Sequence, residues 1–137
     1  MRTQTSESDY IKFQRYCKKE LAKHRLGDWI VSYGHEQLDN DDLSHVVFDL
    51  KMRMANIRLG ECWDCDINDG NLKKVALHEV LHITLAKLVD LAESRFVQQN
   101  DINETEHDII DRMVYAKFGD MDYTTNATRT EGNGEEK

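Results

Sequence analysis

One short segment of this 137-residue chain, His78-Glu79-Val80-Leu81-His82, has the residue types and spacing of a metal-dependent hydrolytic site. Residues four apart lie on one face of a helix, so the imidazoles of His78 and His82 can reach a single metal ion. Glu79 lies about 100° further round the helix than His78, where its carboxylate can approach a metal-bound water. Zinc lowers the pKa of such a water towards about 7, and a neighbouring carboxylate can take the proton. The spacing therefore predicts two zinc ligands and a general base.

A catalytic zinc ion takes a third protein ligand, which must come from outside this segment. The metzincin pattern would need Gly and His where the chain has Leu85 and Leu88, so that class is excluded. On a later helix, Glu106 lies in the middle of an apolar face and is the predicted third ligand, with His107 at the edge of the face as second choice. The face consists of Ile102, Ile109, Ile110 and Met113.

Both assignments have a purely structural alternative. The two histidines of the motif could be hydrogen-bonded core residues, with Glu79 on the surface. Glu106 could be the third residue of a helix that Asn103 caps. Two imidazoles and a carboxylate are costly within an apolar helix unless something satisfies them, which favours the metal site.

Hydrophobic periodicity predicts the elements around the motif. Because the chain has no proline, Gly, Asn and Asp indicate where these elements end. Residues 8–26 have the spacing of an amphipathic helix that ends at Gly27. The next three segments are rich in β-formers, and their short connections favour antiparallel pairing. The fold class is therefore α+β: an N-terminal helix, a three-stranded antiparallel sheet, the motif helix and a following helix. The predicted strands are 29–33, 45–50 and 54–59, and the later helices are 71–96 and 104–118.

Composition fits a single globular domain over residues 1–118, with 39 % apolar and 32 % charged residues in the chain. Residues 119–137 are rich in Gly, Asn, Thr and Glu, so we expect a disordered acidic tail. The sequence has no run of 18 apolar residues and no secretory core near its start, and we expect a cytoplasmic protein without a membrane span. The net charge of −8 argues against nucleic acid as the main partner, although residues 1–26 are basic.

Two further patterns near the motif carry less chemistry. Cys62 and Cys65 form a CxxC pair, but without a second pair the ligand count fails for a zinc ribbon, and we expect ordinary loop thiols. Residues 64–70 resemble a calcium loop, but its glycine comes one position late and its twelfth position is Val75. A loop that leads into the motif helix is the expected structure.

The order of these features resembles small HExxH metallopeptidase-like proteins of the gluzincin type, including short phage-encoded ones and the minimal ImmA/IrrE-like domains. The matching segments are 78–82 and 104–107, and the resemblance covers about residues 29–118. It implies a minimal zincin-like fold whose zinc site is completed by Glu106. It also implies that strand 54–59 lies beside the site as an edge, where an extended substrate can pair with it.

The sequence thus predicts a zinc-dependent metallopeptidase acting on a protein or peptide, with His78, His82 and Glu106 as ligands and Glu79 as general base. The residue that stabilises the oxyanion stays open among His107, Tyr115, Tyr33 and His45. A regulatory or partner-binding protein that keeps the fold without catalysis is the alternative. Retention of Glu79 favours the enzyme, because a structural zinc site does not need a base.

Overall fold

The computed structural model describes residues 2–119, which form four helices and two small sheets. The α+β fold class is confirmed. The predicted acidic tail lies outside the described residues, apart from Gly119. In chain order the elements are β1 (Thr3–Gln4), α1 (Glu7–Lys23), β2 (Ile30–Glu36), β3 (Ser44–Asp49), β4 (Met54–Gly60), β5 (Cys62–Trp63), α2 (Asp69–Thr84), α3 (Ala86–Glu93) and α4 (Gln99–Phe118).

The main sheet has the strand order β2-β4-β3 and is mixed, which corrects the predicted antiparallel sheet. β4 runs parallel to β2 and antiparallel to β3, with Ile57 opposite both Tyr33 and Val46. The connection over residues 37–43 is long enough to skip one strand position, a span of about 9.5 Å at the usual strand spacing. β4 then returns through a hairpin into the gap that β2 and β3 leave between them.

β4 is therefore the central strand, and the prediction that 54–59 is an edge open to substrate is wrong. Both sides of β4 are hydrogen-bonded to neighbouring strands along its whole length. Among the strands, β3 makes the most extensive contact with α2, and its outer edge pairs with no other strand among residues 2–119. The free edge beside the motif helix thus belongs to β3.

The core lies between this sheet and the helix pair α1 and α2. Side chains of β4 alternate as a half-buried strand requires, with Ala55, Ile57 and Leu59 inside. α2 supplies Leu72, Ala76 and Val80, which recur every four residues on one face. Other fully buried members of this core are Phe13, Cys17 and Trp63.

Two helix ends differ from their predicted positions. α1 ends before Gly27 because Arg25 adopts the left-handed conformation, with φ 55°, and the Leu26 amide donates to the Leu21 carbonyl at 2.9 Å. The predicted long helix over 71–96 is two helices that meet at Leu85, whose φ of −92° and ψ of 1° depart from helical values. The axis is interrupted there without any Gly or Pro.

α4 begins at Gln99 and has its main contacts with α3 and with α1. Arg112 donates from Nη1 to the His24 carbonyl at 3.0 Å and also to the Arg25 carbonyl, which ties α4 to the end of α1. The Arg25 guanidinium lies 4.1 Å from the ring centroid of Tyr115. The apolar face predicted to turn inward is largely exposed, whereas Thr105 is completely buried. No helix within residues 2–119 has the length and apolar content that a bilayer span requires.

Candidate metal and hydrolytic site

The start of α2 is fixed by two asparagines. The side-chain oxygen of Asn68 accepts a hydrogen bond from the Asn71 amide at 2.8 Å, which caps the helix. The Asn71 side chain donates to the Asp66 carbonyl at 2.8 Å and anchors the preceding loop. Since the helix begins at Asp69, the HExxH motif falls in its second half, opposite β3.

His78 and His82 are exposed side chains whose rings meet one turn apart on α2. Their Nε2 atoms are 3.3 Å apart, and the ring planes are inclined by 75°. This excludes the structural alternative in which they are core histidines. The two imidazoles therefore lie side by side on the exposed face of α2.

Glu79 is buried, with 4 % of its surface exposed, because it belongs to the same helical stripe as Ala76 and Ile83. Its Oε2 accepts a hydrogen bond from the hydroxyl of Ser44, the first residue of β3. A buried carboxylate needs such a donor, because burial without one is costly. No further hydrogen bond to this carboxylate is made by residues 2–119, which leaves Oε1 without a donor from this part of the chain.

A cavity of about 500 Å³ opens between β3 and α2. Its wall carries acidic, basic and imidazole side chains. The polar residues that line it are Asp42, Ser44, His45, Lys74, His78, Glu79 and His82.

The structure does not bring Glu106 to the histidine pair. Glu106 is exposed on α4, in the middle of the helix rather than at its N-terminus, so the capping alternative is also wrong. Within residues 2–119 no three His, Cys, Asp or Glu side chains are grouped so as to hold one ion. His107 shares a hydrogen bond of 2.8 Å with the Asn103 carbonyl and is likewise on α4. The third ligand therefore stays a prediction.

Of the four residues considered for oxyanion stabilisation, His45 is the one that lines the cavity. The Tyr33 hydroxyl is buried without a hydrogen-bond partner among the described residues and does not line this cavity. Lys74 lines the cavity and was not predicted. Its spacing of four residues from His78 could have identified it.

Cys17 of α1 is completely buried. Burial raises the pKa of its thiol, and the charges of Glu79 and Glu20 raise it further. The thiol is therefore neutral at physiological pH and is not a nucleophile. Cys62 and Cys65 are free thiols, the second of them exposed.

No protein family, no curated protein and no solved structure matches this chain. The residues of the cavity are therefore the basis for a functional proposal.

Proposed function

We propose that this chain is a zinc-dependent metallopeptidase, in which His78 and His82 bind the ion and Glu79 is the general base. The observation that carries the proposal is the placement of all three side chains on one cavity wall, with Glu79 buried and the histidines exposed. The burial of Glu79 supports a functional role, because acidic side chains are seldom buried in a helix of purely structural residues.

The separation of the two histidines fits zinc. Two nitrogens bound to one tetrahedral zinc at about 2.0–2.1 Å lie about 3.3–3.4 Å apart. The Nε2 atoms of His78 and His82 are 3.3 Å apart. The separation of the pair is therefore compatible with a shared ion.

Glu79 would move the proton of the reaction. Zinc, when bound, supplies Lewis acidity that makes a water molecule more acidic and polarises a carbonyl group. The Glu79 carboxylate accepts a proton from the attacking water at Oε1, while the Ser44 hydroxyl holds Oε2 in place. The water oxygen then bonds to the carbonyl carbon, the peptide C–N bond breaks, and the proton leaves Glu79 for the departing amine.

Lys74 and His45 are the cavity residues that could stabilise the negative charge on the carbonyl oxygen. Lys74 precedes His78 by one helical turn, so its ammonium and the imidazole lie on the same side of α2. His45 lines the same cavity from β3. The two residues therefore belong to opposite walls of the cleft.

The substrate that this cleft favours is an extended peptide. The free edge of β3 lies along the cavity, and an unpaired strand edge can form backbone hydrogen bonds with an added strand. In this arrangement β3 takes the role that the sequence assigned to 54–59. A peptide paired with β3 would pass over the histidines and Glu79.

The test of this proposal is the Glu79→Gln variant with a quenched-fluorescence peptide library as substrate. The amide keeps the size of the side chain and still accepts the Ser44 hydrogen bond, but it cannot take a proton. We expect the rate of cleavage to fall at least about 10²-fold, which is the contribution typical of a general base. The zinc content should stay unchanged. Glu104→Gln, an exposed change on α4, is the matched control. Unchanged cleavage by Glu79→Gln would contradict the proposal.

A further inference from the structure

The wall that faces β3 continues beyond the histidines. Cavity-lining residues recur every three or four positions along α2 and then along α3: Val75, His78, His82, Ala86, Val89 and Glu93. The interruption at Leu85 therefore does not turn this stripe away from the strand. On the other side, β3 lines the first cavity through Ser44 and His45, and it lines a second cavity through Phe48 and Asp49. The two cavities thus lie in succession along β3 and along the same helical stripe, and this surface from Ser44 to the end of α3 is the groove.

A second cavity, of about 350 Å³, lies at the far end of this groove, between the β3–β4 hairpin and α3. Apolar surface of Phe48 and Val89 forms part of its wall, and both side chains are substantially exposed, at 38 % and 44 %. A patch of this kind on both sides of a groove suits an aliphatic chain.

Three carboxylates line the same cavity, those of Asp49, Asp90 and Glu93, against a single cation, Lys51. Asp49 accepts a hydrogen bond from the Met52 amide at 3.2 Å. Asp90 and Glu93 form no ion pair or hydrogen bond through their side chains with other residues in the range 2–119. The cavity therefore offers two uncompensated negative charges above an apolar wall.

We propose that this second cavity binds the side chain of a lysine or arginine of the substrate. Such a side chain has an apolar stem, which matches Phe48 and Val89, and a cationic head, which matches Asp90 and Glu93. The inference rests on the proposed peptidase function, and it names the substrate class: a peptide with a basic residue at a fixed distance from the cleaved bond.

The spacing of two helix positions limits this distance. Eight residues separate His82 from Asp90, which corresponds to at most about 12 Å, because the helix axis is interrupted at Leu85. An extended peptide advances about 3.4 Å per residue. The basic residue should therefore lie within about four residues of the cleaved bond, on the side of the bond that lies over α3.

The test compares peptides that carry a single lysine, arginine or glutamate, scanned along the sequence, in two assays. One is cleavage by the wild-type protein, and the other is binding to the Glu79→Gln protein, measured by fluorescence anisotropy. We expect the basic peptides to be favoured about tenfold when the residue is within about four positions of the bond, since two partly screened charge pairs are gained. The Asp90→Asn, Glu93→Gln double variant should lose this preference, and the Glu104→Gln, Asp111→Asn pair on α4 should keep it.

Each other outcome has a separate meaning. Cleavage without a basic preference would overturn this inference and leave the peptidase proposal intact. No cleavage or binding of any peptide would overturn both. If the double variant failed to fold by circular dichroism, Asp90→Lys would replace it, and that change should turn the preference towards glutamate. A preference for basic peptides that Asp90→Lys leaves unchanged would also overturn the inference.

Discussion

The hydroxyl of Ser44 donates a hydrogen bond to Oε2 of Glu79, and this contact joins the first residue of the edge strand β3 to the buried side of the motif helix. The two residues are far apart in the sequence and come from different walls of one cavity. The same contact therefore holds the proposed base in place and fixes the position of the strand over which a substrate would lie.

Loss of the Ser44 hydroxyl should impair catalysis more than it impairs folding. In Ser44→Ala the buried carboxylate loses its donor, which should reduce kcat roughly 10–100-fold, as removal of a supporting hydrogen bond at a metal site does. The free energy of unfolding should fall by about 1–3 kcal/mol. Steady-state kinetics and urea denaturation measure the two effects.

Ser44→Thr is the matched rescue, because threonine keeps the hydroxyl and suits a strand. A positioning role predicts recovery of kcat in Ser44→Thr with KM near that of the wild type. Equal kcat values in Ser44→Ala and the wild type would contradict the role.

The buried thiol of Cys17 should make stability depend on alkaline pH. Its pKa is raised in the folded protein by burial, Glu79 and Glu20, whereas the unfolded thiol ionises near its ordinary pKa of about 8.5. The stabilising contribution is therefore present below that value and is lost as the pH rises above it. From pH 7.5 to pH 9.5 the free energy of unfolding should fall in both proteins, and the fall should be about 1 kcal/mol smaller in Cys17→Ala than in the wild type. Guanidinium denaturation at the two pH values measures it. Cys65→Ala, at an exposed thiol, should behave as the wild type, and a matching shift in both variants would refute the assignment.

The centre of the core is at β4, so truncation there should be costly. Ile57 is fully buried between both neighbouring strands and the helices, and Ile57→Ala should lower the free energy of unfolding by about 2–5 kcal/mol. Ile30→Ala removes the same atoms from a side chain that is 65 % exposed, and its effect should stay within about 0.5 kcal/mol. Similar losses in the two variants would show that β4 is not the central strand.

The sequence patterns located most of the elements because these patterns are local. Alternation along 54–59 and β-rich composition in 29–33 and 45–50 predict strands at nearly the observed positions. The parallel pairing of β2 with β4 could not be predicted in this way. It arises because residues 37–43 leave an empty position between β2 and β3, which β4 then fills. The wrong edge strand followed from that topology.

The candidate site also has one part that local spacing predicts and one part that it does not. The spacing of His78 and His82 is sufficient to predict that their nitrogens meet, because one helix sets it. The apolar spacing around Glu106 indicates an amphipathic helix but not the neighbour that it packs against. Arg112 joins that helix to the carboxyl end of α1 through the His24 and Arg25 carbonyls. These partners precede Arg112 by more than 80 positions. No local sequence pattern reveals such a contact.

Glu106→Gln tests whether the sequence prediction or the described arrangement accounts for zinc binding. Since Glu106 is exposed on a helix tied to α1, its replacement should leave the zinc content unchanged, and His107→Ala should do the same. Loss of zinc from Glu106→Gln alone would instead confirm the predicted ligand and would require α4 to change its position. Metal analysis after gel filtration distinguishes these outcomes.

The most direct test of the central claim is the zinc content of the protein purified without a histidine tag, compared with that of His78→Ala and His82→Ala. The side chains of both histidines are exposed, so their removal should leave the fold unchanged by circular dichroism. The account predicts about one zinc per chain in the wild type, with X-ray absorption showing nitrogen ligands at about 2.0–2.1 Å, and loss of the ion in both variants. Zinc far below one equivalent in the wild type, or zinc retained in both variants, would contradict the account.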